Sequence, residues 1–135
     1  FKQELLVGTH NFTATSGNTF KIALYTSSAS LGAGTTAYST SNEITNSSGT
    51  AYTAGGATLT SVTPTTDSTT AICDFADVSY TSASFTANGA LIYNDTQSDK
   101  AVAVIAFGSD KTVTSGTFTI QFPTADATNA IIRLA

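Results

Sequence analysis

A chain of 135 residues with a formal charge of −4 and only 10% charged side chains fits one domain, of a size that buries roughly two-thirds of its unfolded surface. Five basic side chains and a pI near 4.5 leave no electrostatic footprint for nucleic acid, and no apolar run approaches the roughly 20 residues that span a bilayer. The single cysteine excludes an internal disulfide framework.

Ser and Thr fill about a third of the chain. Eight Phe and five Tyr with so small a net charge argue for a packed core and against disorder. Few ion pairs are available, each worth about 0–1 kcal/mol at a surface, so stability rests on burial and backbone hydrogen bonds. No secretory leader pattern is present, although the residues begin at Phe1 and not at Met.

In chain order, "FKQELLVGTHNF" is the one stretch with helix formers, over Lys2–Val7, and Gly8 suits its stop. At under two turns it is marginal alone and must pack on something. The period then changes to two. Phe20, Ile22 and Leu24 alternate with Lys21, Ala23 and Tyr25, which predicts a strand with one buried face. Residues 26–56 are too long for a structureless loop, so Tyr38, Ile44 and Tyr52 are expected to anchor a short strand or a packed excursion. In "TTAICDFADVSYT", Ala71, Cys73 and Phe75 share a face, while Val78 and Tyr80 fall out of phase, which predicts a bulge near Asp77. "GALIYND" and "NAIIRLA" read as short strands. "KAVAVIAFGS" is apolar on both faces and predicts a central strand covered on both sides. Phe118, Ile120 and Phe122 alternate with Thr117, Thr119 and Gln121 until Pro123 ends the run. The clusters "TSGN", "TTDST", "TANG", "NDTQSD", "GSDKTVTSG" and "TADATN" read as turns. Seven or eight short strands without intervening helices predict an all-β, single-domain β-sandwich over 13–135, preceded by an N-terminal arm or short helix over 1–12.

Candidate chemistry is sparse. Cys73 points to the side of Phe75, where a free thiol behaves as a small buried hydrophobe. A nucleophilic thiolate would need a base such as His10, the only histidine, far away in sequence. Asp74 and Asp77 read as solvent-facing or turn-capping carboxylates and not as an acid–base pair. Asn94, Asp95 and Asp99 echo a calcium loop but lack its acidic count and closing Glu. Gly55-Gly56 lacks the strand-to-helix context of a phosphate loop and reads as a turn. The sequons "NFT", "NSS" and "NDT" are near the chance level for so Ser/Thr-rich a chain. With no Trp, only Tyr25, Tyr38, Tyr52 and Tyr93 could form a platform for a glycan. No catalytic residue, metal or other cofactor is assigned, and the chain reads as a non-enzyme.

A sheet usually guards its edges with Lys, Pro or inward charges. Four Lys and two Pro serve this whole chain, so neighbouring subunits are expected to cover edges and flat faces. The strings "LLVGTHNF", "TFKIALYTSSASLG", "TTAYSTSNEI", "YTAGGATLT", "GALIYND" and "AVAVIAFG" together resemble a family of small virion proteins of tailed bacteriophages, most like capsid decoration (cement) proteins. The resemblance implies a jelly-roll-like sandwich without enzymatic activity on the outside of the phage capsid. With the unguarded edges it fits a homo-oligomer that contacts the major capsid protein or other virion proteins; the composition gives neither nucleic acid nor membrane as partner. A tail, neck or fibre role, or a glycan-binding adhesion domain, stays open. The expected interface residues are Phe1, Leu5, Leu6 and Val7 in the arm, with Tyr38, Ile44 and Tyr52 in the polar excursion; core packing is the plainer reading for each.

Overall fold

The computed structural model describes residues 1–45 and 51–135. A five-residue helix, α1 (Lys2–Leu6), precedes seven strands: β1 (Phe20–Tyr25), β2 (Ala57–Thr58), β3 (Ser61–Asp67), β4 (Thr70–Phe75), β5 (Val78–Asn94), β6 (Lys100–Ile120) and β7 (Ile132–Leu134). They form two antiparallel sheets, ordered β2-β1-β5-β6 and β3-β4-β7. The protein is therefore all-β, with a short N-terminal helix. A jelly roll has eight strands, whereas the described residues form four and three.

The two sheets close on an aromatic core. Phe20 of β1 faces Phe75 of β4 with ring centroids 5.7 Å apart, and Phe12 stacks on Phe20 at 4.4 Å. Ile22, Leu24, Ala90, Ile92 and Val102 join them from the first sheet. The first sheet is packed on its other face as well. Ala23, Tyr25, Leu91, Tyr93 and Ala101 form a second small core, covered by Ala29, Leu31 and Tyr38 of the 26–44 segment. The expectation of one buried face for β1 is thus corrected. Ala23 and Tyr25 lie under the excursion, which folds back over them, while Lys21 at the start of the strand stays partly exposed and pairs with Asp95.

Three further expectations are corrected. The phase slip near Asp77 is not a bulge: β4 belongs to one sheet and β5 to the other, so the chain changes layers at Ala76–Asp77. The "TANG" and "GSDKTVTSG" clusters are not turns between separate strands. They are irregularities inside one long ribbon, in which the ladder between β5 and β6 shifts register four times. Gly108 and Ser115, at φ 77° and 47°, take the left-handed conformation there, and a bulge bends a strand without ending it. Finally, β6 is not central. Among the strands it pairs only with β5; apart from a single bridge between Lys100 and Ala37 at its start, it forms the rim of its sheet. Its start is apolar on both faces because Val102 meets the main core and Ala101 the smaller one. Farther along, Ala106 is exposed, and Ile105 and Phe107 are only half-buried.

The edges are also better guarded than the low Lys count implies. On the outer strand β3, Pro64 sits at a break in register between Val62 and Thr65, where a missing N–H does no harm. β2 and β7 are two and three residues long, and the bends at Gly108 and Ser115 break up the rim of β6.

Candidate association surface

The second sheet is one strand narrower than the first. Ile131, just before β7, lines the same groove as residues of β6, so β7 lies on the β6 side, and beyond it no described strand continues the layer. Part of the inner face of β6 is left uncovered. The result is an open groove of about 560 Å³ walled by Ile105, Phe107, Phe118, Phe122, Pro123 and Ile131. Its floor is the main core: Phe118 packs on Phe85 at 5.0 Å and on Phe107 at 6.2 Å. Phe122 is held in place by its backbone N–H, which donates to Asp77 Oδ1 at 2.8 Å. The charged residue on the wall is Lys111, whose ammonium donates to Ser109 Oγ at 3.0 Å.

The expected interface residues divide between surface and interior. Leu6 and Val7 are 88% and 69% exposed, the two most exposed large apolar side chains among the described residues. Phe1 and Leu5 are half-buried against the main core. Ile44 and Tyr52 are core side chains, and Tyr38 stacks on Tyr93 with centroids 4.6 Å apart. The arm is fastened by a polar clasp. Glu4 accepts from Lys100 Nζ at 2.5 Å and lies 3.3 Å from His10 Nε2. Asn94 Nδ2 donates to His10 Nδ1 at 3.0 Å and to Asn18 Oδ1 at 3.0 Å. Because Nδ1 accepts, the proton of neutral His10 sits on Nε2 and points at Glu4. The Lys100 ammonium, helped by the chain-terminal amine, brings the Glu4 carboxyl down to about 2. Burial lowers His10 below its ordinary value, against an opposing pull from Glu4.

A residue that sequence reading passed over organises the long excursion. Glu43 is buried and its Oε1 accepts from the Tyr52 hydroxyl at 2.5 Å and from the Gly55 N–H at 2.7 Å, while Oε2 accepts from the Tyr38 hydroxyl at 2.7 Å. Tyr52 Oη accepts from the Leu24 N–H, and Tyr93 donates to the Gly55 carbonyl. Burial first, then the bond to Glu43, raises the pKa values of Tyr38 and Tyr52 well above the phenol range. These hydroxyls are donors fixed in a buried network. The available signal was one acid, in "SNEIT", set in an otherwise uncharged aromatic and hydroxyl stretch.

The remaining candidates fall into structural places. Cys73 is buried, and loss of hydration pushes its thiol up to about 12, with Asp74 adding to the effect. Both ring nitrogens of His10 already face other partners, Glu4 and Asn94. Asp95 pairs with Lys21 at 2.8 Å. Among the described residues no three of His, Cys, Asp and Glu gather closely enough to hold a metal ion. Gly55-Gly56 turns the chain into β2 at φ 91° and 77°. Of the sequon asparagines, Asn11 is exposed, Asn94 is fully buried, and Asn46 lies outside the described residues. Compared with family models, with curated proteins and with solved structures, the chain has no match.

Proposed function

We propose that the chain is a non-enzymatic structural component of a tailed-phage particle, a decoration or cement protein that holds capsid subunits together from outside. The phage placement rests on the resemblance of its sequence strings. The adhesive role rests on one observation: an apolar groove stands open beside the rim strand of a molecule whose outer surface is otherwise mostly Ser, Thr and small residues. Such a surface suits many modest contacts, which gain strength when repeated on a lattice. The major capsid protein and further copies of the chain are the partners in this reading.

The test uses heads assembled from the encoding genome with this gene deleted, mixed with tagged full-length chain and sedimented. Saturable, symmetric occupancy of heads is the expected result. Chain that stays in the supernatant with heads but sediments with tails moves the role to the tail, and binding to neither ends the reading.

A glycan-binding fibre domain is the second reading. It is favoured by an open bowl of about 620 Å³ in the excursion, bordered by Ser28, Ser30, Thr35, Thr36, Ser41 and Asn42 and by no charged residue. Against it, Tyr25 and Tyr93 are buried, and Tyr38 has one ring face stacked on Tyr93 and its hydroxyl bonded to Glu43, so these rings make no open platform for a sugar. A glycan array with soluble protein separates the two readings.

A further inference from the structure

We propose that His10, Asn94 and Asn18 form a relay that carries a proton taken up by the buried imidazole to the 11–18 loop, loosening that loop in mild acid while the α1 arm stays clasped. This device is independent of the functional reading above. The His10 side chain is fully buried, with its ring 5.3 Å from that of Phe1 and 6.2 Å from that of Phe12. Asn94, the last residue of β5, is fully buried as well. Its Nδ2 serves two acceptors, His10 Nδ1 and Asn18 Oδ1, each at 3.0 Å. Its Oδ1 is buried and meets no donor among the described residues. Asn18 Oδ1 also accepts from the Asn11 N–H at 2.8 Å, and the Asn18 N–H donates to the Asn11 carbonyl at 2.7 Å. Those two bonds close the mouth of the loop.

Neutral His10 fits this chain of bonds in one sense only, with its proton on Nε2 and Nδ1 accepting. A second proton must go to Nδ1, which then faces the Asn94 amide as donor against donor. Turning that amide over brings the unpaired Oδ1 onto the Nδ1–H. It also sets Oδ1 against Asn18 Oδ1, acceptor against acceptor, so Asn18 must turn or swing away and the Asn11 N–H loses its partner. Each step exchanges one discrete arrangement for another, as a switch requires. On the other side of the ring the charge acts in the opposite direction. Glu4 keeps its charge down to about 2, so an imidazolium strengthens the contact at Nε2 and holds α1 in place. The charged groups that act on His10 are Glu4 of α1, Lys100 at the start of β6 and the Phe1 amine, and both cations are bound to Glu4. Burial and the two cations oppose protonation while Glu4 favours it; burial dominates, so the switch lies below the ordinary 6.5.

Amide hydrogen exchange on the full chain, followed by NMR from about pH 7.5 to about pH 4 alongside the ring nitrogens of His10, tests the relay. As His10 gains its proton, protection of the Asn11 and Asn18 amides, corrected for intrinsic rates, should fall roughly tenfold. Thr9, whose N–H donates to the Glu4 carbonyl in the arm, should keep its protection. His10→Gln, which cannot take up the charge, should abolish the step. Asn18→Ala cuts the relay at its far end, and by reciprocity the ring should then protonate at a higher pH; that readout holds even where the loop of this variant is open at every pH. A charged His10 beside an unchanged loop overturns the inference. So does an equal loss at Thr9, which marks opening of the whole clasp, or a step that persists in His10→Gln. A ring that stays neutral to about pH 4 overturns it as well.

Discussion

Glu43 shows how one side chain can hold a long polar segment in place. Its two oxygens take hydrogen bonds from Tyr38, Tyr52 and the Gly55 backbone, so both ends of the segment are tied to one carboxylate. Replacing it by Ala strands buried donors, each costing about 1–3 kcal/mol. Glu43→Ala should therefore lose on the order of 3 kcal/mol in urea unfolding, and Glu43→Gln, which keeps one acceptor, clearly less. The clasp at Glu4 and His10 gives the fold a pH dependence whose sign follows from proton counting. The folded state holds His10 below 6.5, so the unfolded chain binds more protons there and stability falls as pH drops through 6.5. Glu4 is held near 2 against 4.5, so its contribution is complete above 4.5 and is lost as pH falls toward 2. Urea midpoints across the acid range should show both phases. Glu4→Gln should remove the lower one; an unchanged acid limb would show that the contact with Lys100 adds nothing.

Among the elements, the short pairing of β1 with β2 depends on Gly56. At φ 77°, a Cβ there would lie 1.9 Å from the Ile22 carbonyl oxygen, against backbone that cannot move aside cheaply. Gly56→Ala combines the clash with a strained conformation, so it should cost several times the ~1 kcal/mol that separates Gly from Ala in ordinary settings. Thermal unfolding measures it, and a melting point within a degree or two of wild type would contradict the close approach. The ribbon of β5 and β6 teaches a related lesson. Its turn-like clusters, "TANG" and "GSDKTVTSG", carry the residues that bulges need, and bulges and turns favour the same left-handed conformers. Composition cannot separate the two; whether the partner strand continues past them does.

For the whole molecule, the uneven layers matter most. A four-stranded sheet over a three-stranded one leaves an apolar flank that burial cannot finish from within. Removing residues 1–7 takes away the exposed Leu6–Val7 pair together with the half-buried Phe1 and Leu5. The truncated chain should keep its β circular-dichroism spectrum with a lowered melting point, while binding heads less tightly. Equal head binding by truncated and full-length chain would remove the arm from the mechanism. Native alkylation of Cys73 is expected to be slow, since its thiol is buried and stays protonated at neutral pH; rapid labelling would show that the core opens there.

The two-residue rhythm of Phe20–Tyr25 and Phe118–Phe122, with low charge and no long helical pattern, was enough to determine an all-β domain with a short leading helix. Local alternation follows from the strand backbone, whose successive side chains point to opposite faces whatever lies against them. It does not report what lies beside the strand. Only the tertiary structure decided that β6 stands at a rim, that β4 and β5 belong to different layers, and that Glu43 is buried under tyrosines. Apolar alternation on β6 looks the same whether a strand of this chain or another molecule completes the layer, because burial is set by contacts far away in sequence.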